Sequence, residues 1–470
     1  MKLKLLTTLL LLSIFSLKFA SPRSIVDTLP GYSGTLPFKL ETGYISAGRD
    51  DEVQFFHYFI ESEREPDRDP LMLWLTGGPG CSAFSGLVYE IGPLNFDFET
   101  FDGSLPAFVL NPYSWTKIAS IIFLDAPVGT GFTYATTSEG YHSSDVQTVG
   151  DIYTFLQKWL LKHPNFIKNR LYIAGDSFAG YLVPMVVNKI SQGIEEGVNP
   201  RMNIQGYVIG NPGTEYHIDK NSVLPFAHRM ALISDKYYQM AKVNCHGEYE
   251  NPDPNNAWCL YALQFYKECI RNIFQANILE PACKFRSSKP GASELDKNTY
   301  LEDDPIIRML PQSNKKESRC RNDNYVLSFV WANDQAVQEA LHVRKGTIKE
   351  WRRCNKSLSY DQTEYSVVRY HKLLIKKGYE ALVYSGDHDM VIPYIGTLKW
   401  IALLNLTVDD DWRPWIVDGQ VAGYTERYIY SKIQSHLTFA TVKGAGHTAP
   451  EYKPKQCLVM LDRFFEAYPL

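Results

Sequence analysis

A chain of 470 residues can bury a large core, and one α/β domain carrying a sizeable insertion fits that length. The formal net charge of −4 and the lack of a long basic tract argue against nucleic acid as a partner. No Cys-x-x-Cys or His-Glu-x-x-His occurs, so no metal site is indicated and no cofactor is expected.

In chain order, Lys2 and Lys4 precede an apolar stretch from Leu5 to Leu17 that runs on to Ala20 and Ser21. It is too short to span a bilayer and reads as a secretory signal peptide over residues 1–21. No later run is long enough to cross a membrane, so the expected destination is the vacuole or the cell exterior. Secretory entry also makes the eight cysteines disulfide formers rather than redox or metal ligands. Short apolar runs suited to buried strands follow at 71–75, 118–124, 171–174, 204–209, 381–384 and 437–442. Helical patterns lie between several of them, which predicts an α/β fold with a mostly parallel sheet covered on both faces. After the third run, Leu182, Val183, Val186, Val187 and Ile190 repeat at helical spacing, and Pro184 within that pattern predicts a kink.

Between residues 214 and 325 this regularity lapses. Residues 22–213 and 326–470 are therefore read as the sheet domain, and 214–325 as an inserted, disulfide-tied cap or lid. The cap holds five of the eight cysteines: Cys245, Cys259, Cys269, Cys283 and Cys320. Its stretch from 287 to 316, rich in charge, Ser, Pro and Asn, is expected to form an exposed loop open to proteolysis. The protein is thus expected as a monomer or, after cleavage, as a disulfide-linked heterodimer. Two glycosylation sequons, Asn355-Lys356-Ser357 and Asn405-Leu406-Thr407, fit passage through the endoplasmic reticulum.

The chemistry starts at Gly175-Asp176-Ser177-Phe178-Ala179-Gly180, directly after the third apolar run. A strand that turns sharply into a helix around Gly-x-Ser-x-Gly lifts the serine hydroxyl clear of the backbone, although here Ala179 stands where many such elbows have glycine. An acid and then a histidine should follow in chain order. Asp387, in the turn after the fifth run, and His447, in Gly444-Ala445-Gly446-His447 after the sixth, are the candidates. Both lie just past strand ends, where open α/β sheets place active sites.

These residues join a wider set. Trp74-Leu75-Thr76-Gly77-Gly78-Pro79-Gly80-Cys81-Ser82, the stretch from Asp125 to Tyr134, Gly175 to Gly180, Gly210-Asn211-Pro212, Ser385-Gly386-Asp387 and Gly444 to His447 together resemble the serine carboxypeptidase family, from about Val26 to the C-terminus. The resemblance implies an α/β-hydrolase fold with Ser177 as nucleophile, His447 as general base then acid, and Asp387 orienting the imidazole. It also implies an oxyanion hole from the N–H groups of Gly78 and Phe178. The implied bridges are Cys81 with Cys354, Cys245 with Cys259, and Cys283 with Cys320, leaving Cys269 and Cys457 over.

At three positions the family's peptidases recognise a peptide's terminal carboxylate, with Asn, Glu and Glu. Here these are Thr76, Asp176 and Glu90, so only the last is kept. Asp is one methylene shorter than Glu and Thr lacks the amide's second donor, which weakens that recognition. This departure, with Trp331-Ala332-Asn333-Asp334 and Trp351-Arg352-Arg353-Cys354-Asn355, is similar to the plant serine carboxypeptidase-like acyltransferases. The implied reaction moves an acyl group from a 1-O-glucose ester to an alcohol-type acceptor; the alternative is a carboxypeptidase or esterase that hydrolyses. A catalytically silent glycoprotein is the third reading.

Overall fold

In Leu71–Leu75 every position is apolar, and every side chain is buried. Leu71, Leu73 and Leu75 face one core, while Met72 and Trp74 face a second. Only a strand covered on both faces uses such a sequence without alternation. The computed structural model, which describes residues 24–282 and 321–470, places this strand near the middle of a 12-stranded sheet. The signal segment, Cys283, Cys320 and the loop at 287–316 lie outside the described residues.

The sheet strands in chain order are β1 (Ser24–Val26), β2 (Leu40–Ala47), β3 (Val53–Ile60), β4 (Leu71–Leu75), β5 (Ser120–Leu124), β6 (Tyr134–Ala135), β7 (Leu171–Asp176), β8 (Ile204–Gly210), β9 (Glu380–Gly386), β10 (Thr407–Val417), β11 (Gln420–Tyr430) and β12 (Ser435–Val442). Their spatial order is β1-β2-β3-β5-β4-β7-β8-β9-β12-β11-β10, with β6 paired to β3. The six central strands, β5 through β12 in that order, run parallel. They are the six read from the sequence. The flanking strands are antiparallel.

Two helices show why the first core closes. The helix α1 (Asp145–Lys162) is capped by the Ser144 hydroxyl, which accepts from Gln147 N, and it buries Val149, Ile152, Phe155, Leu156, Trp159 and Leu160 at helical spacing. Each such side chain contributes about 2 kcal/mol by leaving water. The helix α2 (Ala179–Glu195) buries the predicted Leu182, Val183, Val186, Val187 and Ile190. It runs through Pro184 without a break. The lost bond is the one Pro184 N would have given the first turn, and burial of Pro184 itself offsets part of that loss.

Between β8 and β9 the chain leaves the sheet and forms a series of helices, among them Asp235–Asn244 and Ala257–Ile270. Cys245 and Cys259 tie these two together, and Cys81 is joined to Cys354; both pairings are those the resemblance implied. Among the described residues, Cys269, which is exposed, and Cys457, which is buried, form no bridge.

Candidate active site

Strand β7 ends at Asp176, and the next residue, Ser177, sits at φ 54°, in the left-handed region. A non-glycine residue held there costs on the order of 1 kcal/mol and persists where its surroundings demand it. The turn is tightened by Ser177 N donating to Gly210 O at 2.9 Å and by Gly180 N and Gly213 N both donating to Ser177 O. A Cβ on Gly175 would run into the Leu75 carbonyl and Ala179 Cβ. The first glycine of the elbow is therefore obligatory, while Ala179 fills the space that this glycine leaves.

The candidate nucleophile and the candidate base are brought together. His447 Nε2 lies 2.7 Å from Ser177 Oγ, placed to accept the hydroxyl proton. Its backbone N donates to Ala276 O at 2.7 Å, so a segment from between β8 and β9 helps fix the histidine loop. Burial disfavours its imidazolium, but the charge and hydrogen bond of Asp389, with the charge of Asp176, raise its pKa above the ordinary value.

The acid differs from the one read in the sequence. His447 Nδ1 is 2.8 Å from Asp389 Oδ2, not from Asp387. Asp389 is fully buried and accepts also from Asn211 Nδ2, Val391 N and Ile392 N. Asp387 instead accepts Gly444 N at 2.7 Å and pairs with His388 Nδ1 at 2.6 Å. The correction has a simple cause. Strand β9 ends at Gly386 and the chain turns there, with Asp389 N donating to Gly386 O, so the side chain three residues beyond the strand swings over to His447. Asp387, still on the strand's line, braces the histidine loop.

Asn211, in Gly210-Asn211-Pro212, is a further residue of the site. At φ 38° its amide gives Nδ2 to Asp389 at 2.8 Å and takes Gly386 N on Oδ1 at 2.9 Å. It locks the acid's loop to the end of β8. A buried Asn before Pro212, just past a parallel strand, was the available signal.

Gly78 lies in the loop after β4, and Phe178 immediately precedes α2, where backbone N–H groups point outward. The two segments are in close contact: a Cβ on Gly77 would stand 2.6 Å from Ser177 Cβ and 3.0 Å from Phe178 N. The loop is held from behind by the Cys81–Cys354 bridge, by Asn355 N donating to Gly80 O at 2.8 Å, and by Ser82 N donating to Arg353 O at 2.7 Å. Asp125, also buried, gathers Ser82 Oγ, Ala83 N and Phe132 N.

The three positions beside the nucleophile are all accounted for. Asp176 is buried and its Oδ1 accepts Gly77 N at 3.1 Å; burial, partly opposed by the His447 charge, pushes its pKa up to about 6. Thr76 Oγ1 accepts the Trp74 indole N–H at 3.1 Å. Glu90 ends a single π-helical turn, Gly86–Glu90, and is buried with Oε2 lacking a hydrogen-bond partner among the described residues. Burial first, then the neighbouring charges of Asp176 and Glu451, raises its pKa well above the carboxylate range despite Arg353. Burial thus favours its neutral form. No group of His, Cys, Asp and Glu suited to a metal occurs among the described residues.

A serine, histidine and aspartate in hydrogen-bonded series on an α/β sheet form an arrangement suited to nucleophilic catalysis. A family profile described as serine carboxypeptidase matches residues 30–467, and the chain belongs to that family. Curated relatives from Arabidopsis thaliana include serine carboxypeptidase-like 2, 46% identical with 100% of this chain and 98% of the relative covered, and serine carboxypeptidase-like 1, 47% identical over the same shares. Among solved structures, a prohormone-processing carboxypeptidase from Saccharomyces cerevisiae superposes with a TM-score of 0.73 at 20% identity, covering 95% of this chain and 97% of that one. That likeness establishes the α/β-hydrolase fold.

Proposed function

We propose that the protein is an acyltransferase that takes an acyl group from a 1-O-acylglucose ester and passes it to an alcohol-type acceptor through an acyl-enzyme on Ser177. Asp389 replaces Asp387 as the acid of the triad. Ser177 Oγ attacks the ester carbonyl as His447 Nε2 takes its proton. The oxyanion is held by the N–H groups of Gly78 and Phe178, and the sugar leaves with the proton from His447. An acceptor hydroxyl then gives its proton to His447 and attacks the acyl carbon; ester leaves and Ser177 regains its hydrogen. No cofactor enters the balance. Transfer must outrun hydrolysis by about 55 M water, which a bound, aligned acceptor achieves through effective molarities of roughly 10⁵ M.

The observation that carries this reading is the state of the carboxylate clamp. Asp176 is committed to Gly77 N–H, and Thr76 offers one hydroxyl hydrogen in place of an amide's two. A neutral Glu90 is suited to donate to a sugar hydroxyl or ester oxygen. The same neutral Glu90 could donate to a peptide carboxylate, which is what favours the second reading, a carboxypeptidase or esterase.

We place the protein in the secretory pathway, in the vacuole or outside the cell. Two disulfides support this. Residues 214–325 are proposed as a cap whose segment at Gln275 and Ala276 bonds to the acid and histidine loops, Gln275 O accepting Met390 N and Ala276 O accepting His447 N. The test is incubation with a panel of 1-O-acylglucoses and mixed alcohols beside a blocked dipeptide, with products separated by mass. Ester formation abolished by Ser177→Ala supports the acyltransferase. Free acid or cleaved peptide alone returns the chain to the hydrolases, and a fluorophosphonate that fails to label Ser177 in folded protein removes both.

A further inference from the structure

The two sequons occupy very different surroundings. Asn405 is exposed at φ 54°, in the turn after the helix Tyr394–Ala402, where its N–H closes on Ala402 O. Asparagine is among the few residues that take this left-handed position cheaply. Asn405 lines a hollow of about 200 Å³ together with Lys372, Ile375, Lys376, Leu404, Leu406 and Tyr430. Its lining combines apolar and aromatic side chains with two lysines.

Asn355 is half-buried and fully engaged. Its Nδ2 donates to Gly129 O at 2.9 Å, its Oδ1 accepts Ser357 N at 3.0 Å, and its N–H goes to Gly80 O. Leu358 covers both neighbours, since its side chain would be struck by a Cβ on either Gly80 or Gly129. A sugar on Asn355 Nδ2 would have to displace Leu358 or the loop carrying Gly129. Because glycans are added to the chain as it enters the lumen, one at this point would obstruct closure of the adjacent Cys81–Cys354 bridge.

We propose that Asn405 carries the N-linked glycan, that its first sugar lies in the adjoining hollow against Tyr430, and that Asn355 stays unmodified as the clamp of the oxyanion loop. In the modification step the Asn405 amide nitrogen attacks the anomeric carbon of a lipid-linked oligosaccharide diphosphate. The new N–C bond replaces the C–O bond to phosphate, and the amide proton leaves with the lipid diphosphate. The sugar's apolar ring face covers Tyr430 while its hydroxyls meet Lys372 and Lys376.

The experiment uses full-length protein secreted from a eukaryotic host, compared as wild type, Ser357→Ala and Thr407→Ala. Each substitution removes one sequon and leaves its asparagine in place. Thr407→Ala should lose one glycan's mass and Ser357→Ala none, with ester-forming or hydrolytic activity unchanged in Ser357→Ala. Glycopeptide mapping should find the sugar on Asn405 alone. A glycan on Asn355, or none on Asn405, overturns the assignment. Tyr430→Ser should speed endoglycosidase release from native protein on the order of tenfold, the worth of one aromatic contact, with no change after denaturation. Equal native release rates overturn the docked sugar.

Discussion

Replacing Asp389 by Asn tests the acid of the triad at a single atom. The carboxylate is fully buried; Oδ1 takes Val391 N at 2.7 Å, and Oδ2 takes His447 Nδ1, Asn211 Nδ2 and Ile392 N. In Asp389→Asn the amide oxygen keeps Val391, so the NH₂ group falls where three donors converge. Asn211 cannot turn over to relieve this without losing Gly386 N from its own oxygen. His447 can, by moving its proton to Nε2, and it then faces Ser177 as a donor and no longer accepts the hydroxyl proton. The corresponding change in the Ser-His-Asp template costs about 10⁴ in kcat, about 5 kcal/mol in the barrier. Asp387→Asn should behave otherwise. Its oxygen can keep Gly444 N, and the partly exposed pair with His388 is worth no more than about 1 kcal/mol, so less than tenfold of the activity is lost. Ester turnover and the rate of fluorophosphonate labelling, read on variants with wild-type unfolding midpoints, separate the two. Equal losses in both variants, or a loss under tenfold in Asp389→Asn, would refute the assignment of Asp389.

Four further outcomes are expected. Gly77→Ala places a methyl group 2.6 Å from Ser177 Cβ, so the loop must retract and an oxyanion donor with it; labelling should slow by about 10²-fold or more, and a change under threefold would remove Gly78 from the hole. Thr76→Asn with Asp176→Glu rebuilds the family's carboxylate clamp and should raise cleavage of blocked dipeptides above wild type, whereas no gain would count against that account of the departure. Removing Cys81–Cys354, which closes 273 residues, should cost about 5 kcal/mol and slow turnover, against about 3 kcal/mol and little change in rate for Cys245–Cys259, which closes 14; denaturant midpoints of the paired alanine variants give the comparison. Stability should fall as pH rises from 5 to 7. Burial raises Asp125 and Asp176 to about 6 and Asp219 to about 7, and pushes Glu90 up as well, so the folded state holds protons that the unfolded chain has released. The opposite contribution, from His57 and His371, both pushed down to about 3, ends once the unfolded histidines titrate near 6.5. A urea midpoint that climbs from pH 5 to 7 would contradict this sum.

The strands legible in the sequence were those buried on both faces, because only there does position after position have to be apolar. The edges gave no such signal. In β10 the run Thr407–Val417 carries Asp409, Asp410 and Asp411 and a proline, pairs irregularly with β11, and exposes much of its length. Strand β2 contains Gly43 and buries Glu41 and Thr42. Pairing partners, not local pattern, make these strands. Ser177 and His447 were legible because each stands alone in a glycine-bearing loop. The acid was not, since Ser385-Gly386-Asp387-His388-Asp389 offers two aspartates and the choice depends on which way the chain turns after Gly386. Disulfides between Cys81 and Cys354, 273 residues apart, carry no local trace at all and came from the family resemblance.

On the proposed function the triad serves equally whether water or an alcohol attacks the acyl-enzyme, so the outcome is decided by the wall around it and by the proton that His447 must hold. Asp176 acts on both. While ionised it supports the imidazolium and helps keep the pKa of His447 high, which at acidic pH would leave the base occupied. As pH falls through about 6 Asp176 itself takes a proton and withdraws that support, so His447 gives up its own proton more readily than it would beside a fixed charge. Burial favours the neutral form of Glu90 in the same way, so the pocket carries less negative charge against a developing oxyanion. An uncharged sugar ester loses nothing in such a pocket, and a polyhydroxylated leaving group gains donors. The shorter Asp176, tied back to Gly77, also leaves room next to the nucleophile that a longer Glu would fill. On the proposed function that space admits an acceptor hydroxyl in line with the acyl carbon, whereas protonated acids donate to a peptide carboxylate as readily as to a sugar hydroxyl, so the shape of the wall and not its charge separates the two readings.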